Sequence, residues 1–120
     1  MADGTVTVMF TDLIRSTDLA DRHGDRIATD ALVRHLALVR RHVERYQGRI
    51  VKSLGDGQMV AFDSSLAAVE CAVAVQAETP PGDPPVRIGI NAGEGLDRAG
   101  DLFGQAVNAA ARICARAEGG

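Results

Sequence analysis

Asp12 stands between the alternating run Thr5-Val6-Thr7-Val8-Met9-Phe10-Thr11 and the helix-capping pair Ser16-Thr17. A carboxylate there lies beside the unpaired N–H groups of a helix start, which favour anions such as phosphates. Carboxylate plus phosphate-binding amides is what a Mg²⁺–nucleotide site needs. The same aspartate also reads as an ordinary cap or turn residue. Asp56 is flanked by Gly55 and Gly57, and Asp-Gly is itself a favoured turn pair. If that hairpin neighbours the first strand, Asp12 and Asp56 can hold one or two metal ions together, the layout of two-metal phosphoryl chemistry. Lys52 falls within the preceding strand, where strict alternation puts it on one face with Ile50 and Leu54. The alternative for that charge is a lysine snorkelling at a strand edge. Lys52 and Asp56 are separated by up to about 13 Å along a strand, too far to touch the same few atoms of one ligand. Asn108 and Arg112 lie one helical turn apart among apolar neighbours. An amide and a guanidinium side by side can stabilise charge on a transferring phosphoryl group, or make a surface hydrogen bond. His23, His35 and His42 show no ligand spacing and receive no role.

The elements that must position these residues follow from periodicity and punctuation. Residues 5–11 read as a strand, and a short helix opens at Ser16-Thr17 and stops at Gly24. Residues 25–46 read as a long helix with an apolar stripe of Leu32, Leu36, Val39, Val43 and Tyr46. Arg34, Arg41 and Arg45 make its solvated face. Residues 49–54 and 58–63 are strands joined by Gly55-Asp56-Gly57. An alanine-rich helix over 64–78 starts at Ser64 or Ser65, and a stiff loop carries Pro80, Pro81, Pro84 and Pro85. Residues 86–92 are a strand, 93–104 a glycine-rich irregular hairpin, and 105–117 a final alanine-rich helix. This order predicts an α+β fold, a ferredoxin-like split βαβ sheet with helices packed on one face, in a single domain over 1–120.

Composition narrows the classes of function. At 120 residues with 46% hydrophobic and 24% charged residues, the chain is one globular domain. Lys plus Arg is 13 and Asp plus Glu is 16, a net charge of −3 that argues against a nucleic-acid binder. No apolar run is long enough for a membrane helix, and the N-terminus lacks signal-peptide character. Cys71 and Cys114 read as buried thiols in a reducing cytoplasm. Aromatics are only 3%, so small residues fill the core and modest stability, helped by a partner subunit, is expected.

Four stretches resemble the class III adenylate/guanylate cyclase catalytic domain, in family order: Val8-Met9-Phe10-Thr11-Asp12-Leu13-Ile14-Arg15-Ser16-Thr17, Lys52-Ser53-Leu54-Gly55-Asp56-Gly57, residues 88–94 (Ile-Gly-Ile-Asn-Ala-Gly-Glu), and residues 101–112 from Asp101 to Arg112. The resemblance implies that Asp12 and Asp56, with Leu13 between strand and loop, hold two Mg²⁺ or Mn²⁺ ions. It implies that Ile14, Arg15, Ser16 and Thr17 wrap the phosphates, with Arg15 standing where the family often has glycine. Lys52 and Asp101 resemble the pair that reads adenine, and Asn108 and Arg112 the transition-state stabilisers. The implied reaction is attack of the ribose 3′-hydroxyl on the α-phosphate of ATP, giving cyclic AMP and pyrophosphate. The implied assembly is a head-to-tail homodimer, one subunit giving the aspartates and the other Lys52, Asp101, Asn108 and Arg112. Family domains continue with further strands that usually supply another triphosphate lysine, so the chain reads as C-terminally shortened. Two alternatives stand beside this reading. One is a non-enzymatic cyclase-homology module that binds nucleotide or only dimerises. The other, a diguanylate cyclase, lacks its Gly-Gly-acidic-Glu-Phe hairpin here.

Overall fold

The β-branched N-terminal run forms an eleven-residue central strand, β1 (Asp3–Leu13). The computed structural model describes residues 3–14, 16–98 and 100–118. After β1 come α1 (Ser16–His23), α2 (Asp25–Arg45), β2 (Arg49–Leu54), β3 (Gly57–Phe62), α3 (Ser65–Glu78), β4 (Val86–Arg98), β5 (Asp101–Phe103) and α4 (Gln105–Arg116). The strands form one sheet in the order β2-β3-β1-β4-β5, with antiparallel neighbours throughout. β1 pairs with β4 without interruption from Asp3 opposite Leu96 to Leu13 opposite Val86.

Alternation along β1 divides the core in two. Met9 and Leu13 join Leu38, Val39 and Val43 of α2 and Ala68, Cys71 and Val75 of α3 on one face. Val8 joins Met59, Ala61, Leu102 and Ala110 of α4 on the other, with Phe10 and Val107 partly buried beside them. Each fully buried Val or Leu contributes about 1.5–3 kcal/mol. The expected α+β sheet is present, and α2 and α3 share a face as expected. α4 departs from that expectation and crosses the opposite face. The reason is a strip of missing side chains on β4: a Cβ at Gly89 would stand 2.5 Å from the Ala110 carbonyl oxygen and 2.8 Å from the Cys114 Cα, and a Cβ at Gly93 would stand 3.2 Å from that of Ala106. Helix backbone therefore rests directly on strand backbone.

β4 also runs past the expected end at residue 92, through Gly93 and Gly95 to Arg98, and turns into β5. Its partner β1 pairs with it as far as Leu96, past both glycines, which overrides their low strand propensity, and β5 takes over the pairing from there to Arg98. On α2, Val39 and Val43 are buried as expected, but the buried stripe also takes in Ala31, His35, Leu38 and His42, while Leu32, Leu36 and Tyr46 are only partly buried. Arg34 pairs with Asp83 at 2.7 Å and Arg41 with Glu78 at 3.1 Å, so part of the basic face fastens α2 to the far end of α3 and the proline loop. Ser64 caps α3 by accepting from the Ala67 amide. Cys71 and Cys114 are both free and buried. No helix among the described residues is long and apolar enough to cross a membrane.

The close approach of α4 gives a direct test. Gly89→Ala forces the helix off β4 and is expected to cost about 1–3 kcal/mol in urea unfolding. Gly82→Ala, where nothing lies within 4 Å of the added Cβ, is expected to stay within about 0.5 kcal/mol of the parent.

Candidate active site

Asp12 is the penultimate residue of β1, and its partner across the sheet is Arg87 of β4. Arg87 Nη2 donates to Asp12 Oδ2 at 2.5 Å, and the Leu13 amide donates to Asp12 Oδ1 at 2.9 Å. The Asp56 carboxyl lies close enough to that of Asp12 for a hydrogen bond between them to lower the Asp12 pKa. What brings it there is the two-residue turn between β2 and β3. Gly55 takes φ +64°, and a Cβ on Gly57 would stand 2.5 Å from the Thr11 carbonyl oxygen, so only glycine lets the turn close against β1. Burial disfavours the Asp12 carboxylate. The hydrogen bonds with Asp56 and Arg87, the Arg87 charge and the Leu13 amide outweigh it, and Asp12 stays below its ordinary value of 3.8. Two carboxyl groups in hydrogen-bond contact need a shared proton or a cation between them. Their all-oxygen donor set suits a hard ion such as Mg²⁺ or Mn²⁺. Among the described residues no third His, Cys, Asp or Glu joins a metal cluster. An ion held there would complete its shell with backbone oxygen, water and substrate phosphate, the usual habit of Mg²⁺.

Lys52 and Asp101 come together although β2 and β5 are opposite edges of the sheet. Lys52 Nζ donates to Asp101 Oδ2 at 2.8 Å, and Arg49 ties to Asp97 at 3.4 Å beside it. The sheet curls until its two edges meet. Strict alternation would put Lys52 on the side of Ile50, but the register shifts between these two residues. Ile50 pairs with Val60, in the core under α2 and α3, whereas Lys52 pairs with Met59, in the core under α4. This bulge turns the lysine toward Asp101. The Lys52 hydrogen bond and the Leu102 amide hold Asp101 below its ordinary range despite a small opposing desolvation. A lysine donor and a carboxylate acceptor therefore sit side by side, both partly exposed.

Asn108 and Arg112 are exposed on α4, and neither side chain has a hydrogen-bond or ion-pair partner among the described residues. Arg112 lines a 760 Å³ groove with Asn91, Gly93, Glu94, Gly104 and Gln105. Asp12 lines a separate 250 Å³ cavity with Phe10, Leu54, Gly57, Arg87 and Ala111. One chain thus joins Asp12 to Asp56 and Lys52 to Asp101, and leaves Asp12 and Arg112 in different cavities. In the loop after β1, the Ile14 amide donates to the Pro85 carbonyl at 2.8 Å. Arg15 lies outside the described residues. Ser16 and Thr17 open α1 as expected, and their side chains lie outside the described residues.

This sheet order, with a carboxyl pair at the end of its central strand, defines an α+β catalytic domain of the nucleotide-cyclase type. Residues 2–120 match the adenylate and guanylate cyclase catalytic domain family, and the chain belongs to it. It is 34% identical over 116 residues to an adenylate cyclase of Streptomyces coelicolor, covering 94% of this chain and 30% of that protein. It superimposes on an adenylate/guanylate cyclase/hydrolase of Silicibacter pomeroyi with a TM-score of 0.83 at 30% identity, covering 98% of this chain and 73% of that one. Adenylate cyclases of Trypanosoma brucei, solved in their monomeric state, match with a TM-score of 0.85 at 27% identity, over 97% of this chain and 71% of theirs. The chain spans 21–30% of the length of the bacterial curated relatives it matches.

Sequence reasoning passed over Arg87 and His35. The signal for Arg87 was alternation: Arg87, Gly89 and Asn91 form the polar and small face of an otherwise apolar strand. The signal for His35 was its place four residues after Ala31 and four before Val39 on the buried side of α2. His35 lines a 280 Å³ cavity with Leu13 on the face away from α4, and neither ring nitrogen has a partner among the described residues. Burial pushes its imidazole below the ordinary 6.5, against the pull of Asp12 and Asp83. The unfolded chain therefore takes up this proton more readily than the folded one. The stability His35 provides is intact above pH 6.5 and is lost as pH falls below it. The urea midpoint is expected to drop from about pH 7 to about pH 5, and His35→Leu to flatten that drop.

Proposed function

We propose that this chain is the catalytic domain of an adenylate cyclase, converting ATP to cyclic AMP and pyrophosphate. The observation that carries the reading is the Asp12–Asp56 carboxyl contact at the end of β1. These two residues would hold Mg²⁺ or Mn²⁺, which when bound lowers the pKa of the ribose 3′-hydroxyl and takes up charge on the triphosphate. The 3′-hydroxyl gives its proton to water as its oxygen attacks the α-phosphorus, the bond to the bridging oxygen of the β-phosphate breaks, and pyrophosphate leaves. The Arg112 guanidinium, free of other partners among the described residues, is suited to charge growing at the α-phosphate, and the Asn108 amide one turn earlier to orienting the reacting group.

Lys52 and Asp101 support ATP as the substrate. The Lys52 ammonium donates to adenine N1 and the Asp101 carboxylate accepts from the 6-amino group; guanine presents the reverse pattern at both positions. Their mutual hydrogen bond holds donor and acceptor at 2.8 Å from each other before any base arrives.

The assembly in this reading is a head-to-tail homodimer. Asp12 and Arg112 line different cavities of one chain, so each site takes its acid pair from one copy and α4 from the other. Leu54, Phe103 and Ile113, each about half exposed, supply apolar surface for that contact.

The test is cyclic AMP production from ATP with Mn²⁺ at several protein concentrations. Output is expected to rise more steeply than protein concentration and to vanish in Asp12→Asn with the fold retained. Arg112→Ala is expected to lower kcat by roughly 100- to 1,000-fold. ATP binding without turnover in the wild type would instead leave a nucleotide-binding module. Lys52→Glu with Asp101→Cys is expected to move preference toward GTP, and unchanged ATP preference would assign base reading to other residues.

A further inference from the structure

We propose that Arg87 is a positioning residue that locks the acid pair and α4 into one rigid unit; this rests on the cyclase reading above. Its guanidinium reaches in two directions. Nη2 donates to Asp12 Oδ2, and Nη1 donates at 3.0 Å to the main-chain carbonyl of Ala115, in the last turn of α4. Ala115 is three residues beyond Arg112 on that helix. The same stretch of β4 holds the helix from below. The Cys114 thiol donates to the Arg87 carbonyl at 3.6 Å, and Gly89 admits the backbone at Ala110 and Cys114.

The chemistry of the side chain suits this task. A guanidinium presents donors in a fixed planar fork, so satisfying a carboxylate with one arm and a helix carbonyl with the other fixes their separation. An ammonium is a point donor on a flexible stem and cannot hold both at once. Arg87 lies between the cavity of Asp12 and the end of α4, with its Nε buried and without a partner among the described residues, so its hold on its surroundings runs through these two arms. Its charge also fixes what it does not do. A cation beside Asp12 repels a divalent ion, so Arg87 does not recruit the metal. It sets the direction of the Asp12 carboxylate and the height of α4 above the sheet, the two placements on which Asp12 and Arg112 depend.

Arg87→Lys and Arg87→Gln separate this role from metal recruitment and from general stability. Mn²⁺ binding, read by electron paramagnetic resonance of the free ion, is expected to be as tight as wild type or tighter in both variants. ATP KM is expected to stay within about threefold, while kcat falls about 10- to 100-fold. Thiol labelling, located by mass spectrometry, is expected to speed up at Cys114 and not at Cys71, reporting a loosened α4 in a folded protein. Wild-type kcat in Arg87→Lys would overturn the proposal, as would Mn²⁺ affinity lost in step with kcat, or Cys114 as protected as in the wild type. If the wild type neither binds Mn²⁺ nor makes cyclic AMP, the cyclase reading fails, and the labelling still decides whether Arg87 holds α4.

Discussion

The pairing of β1 with β4 is the constraint on which the rest of the molecule depends. Eleven consecutive residue pairs fix it, from Asp3 and Leu96 to Leu13 and Val86. A slip of one residue would turn every side chain of β1 to the other face. Met9 and Leu13 would leave the core under α2 and α3, and Asp12 would no longer face Arg87. The apolar pattern that buries the sheet and the polar pattern that builds the candidate site are therefore held by the same register.

Small residues let the second helical layer exist. With few aromatics, the chain packs α4 through Ala106 and Ala110 onto Gly93 and Gly89. Such contacts bury less area per residue than a Leu or Phe interface, but they bring backbone to backbone and leave little freedom in helix height. The helix that carries Asn108 and Arg112 is thereby placed by absent side chains on β4 and by the reach of one arginine.

Much of this was legible in the sequence. The β-branched run, the Asp-Gly turn, the Ser64 cap and the proline loop each act through local chemistry, and each appears where that chemistry puts it. Asp12 and Asp56 were readable as a pair because the sheet topology makes their strands neighbours. What escaped depends on partners distant in sequence. The extension of β4 through its glycines is imposed by β1, and the position of α4 follows from Gly89, whose meaning appears only with a helix above it. Lys52 looked misplaced because alternation assumes an unbroken ladder. The bulge before it breaks that ladder and turns the lysine to the other face, from which it reaches Asp101. The histidines of α2 were judged by ligand spacing, whereas their spacing with Ala31, Leu38 and Val39 belongs to the buried stripe.

The separation of Asp12 and Arg112 into different cavities, with Arg87 strung between their elements, has a consequence for a pair of chains. In a head-to-tail arrangement, the acid end of one chain serves one reaction centre and its α4 serves the other. A displacement of Asp12 at the first centre would then pass through the Arg87 guanidinium to the helix of the second, and the second would return it through the other chain. In that proposed pair the two centres would form a closed mechanical circuit, and occupancy at one would bias the geometry of its twin without any change in how the chains meet. Thermodynamics makes that influence reciprocal. Symmetry of the pair and independence of its two sites are then separate properties, and this fold can have the first without the second.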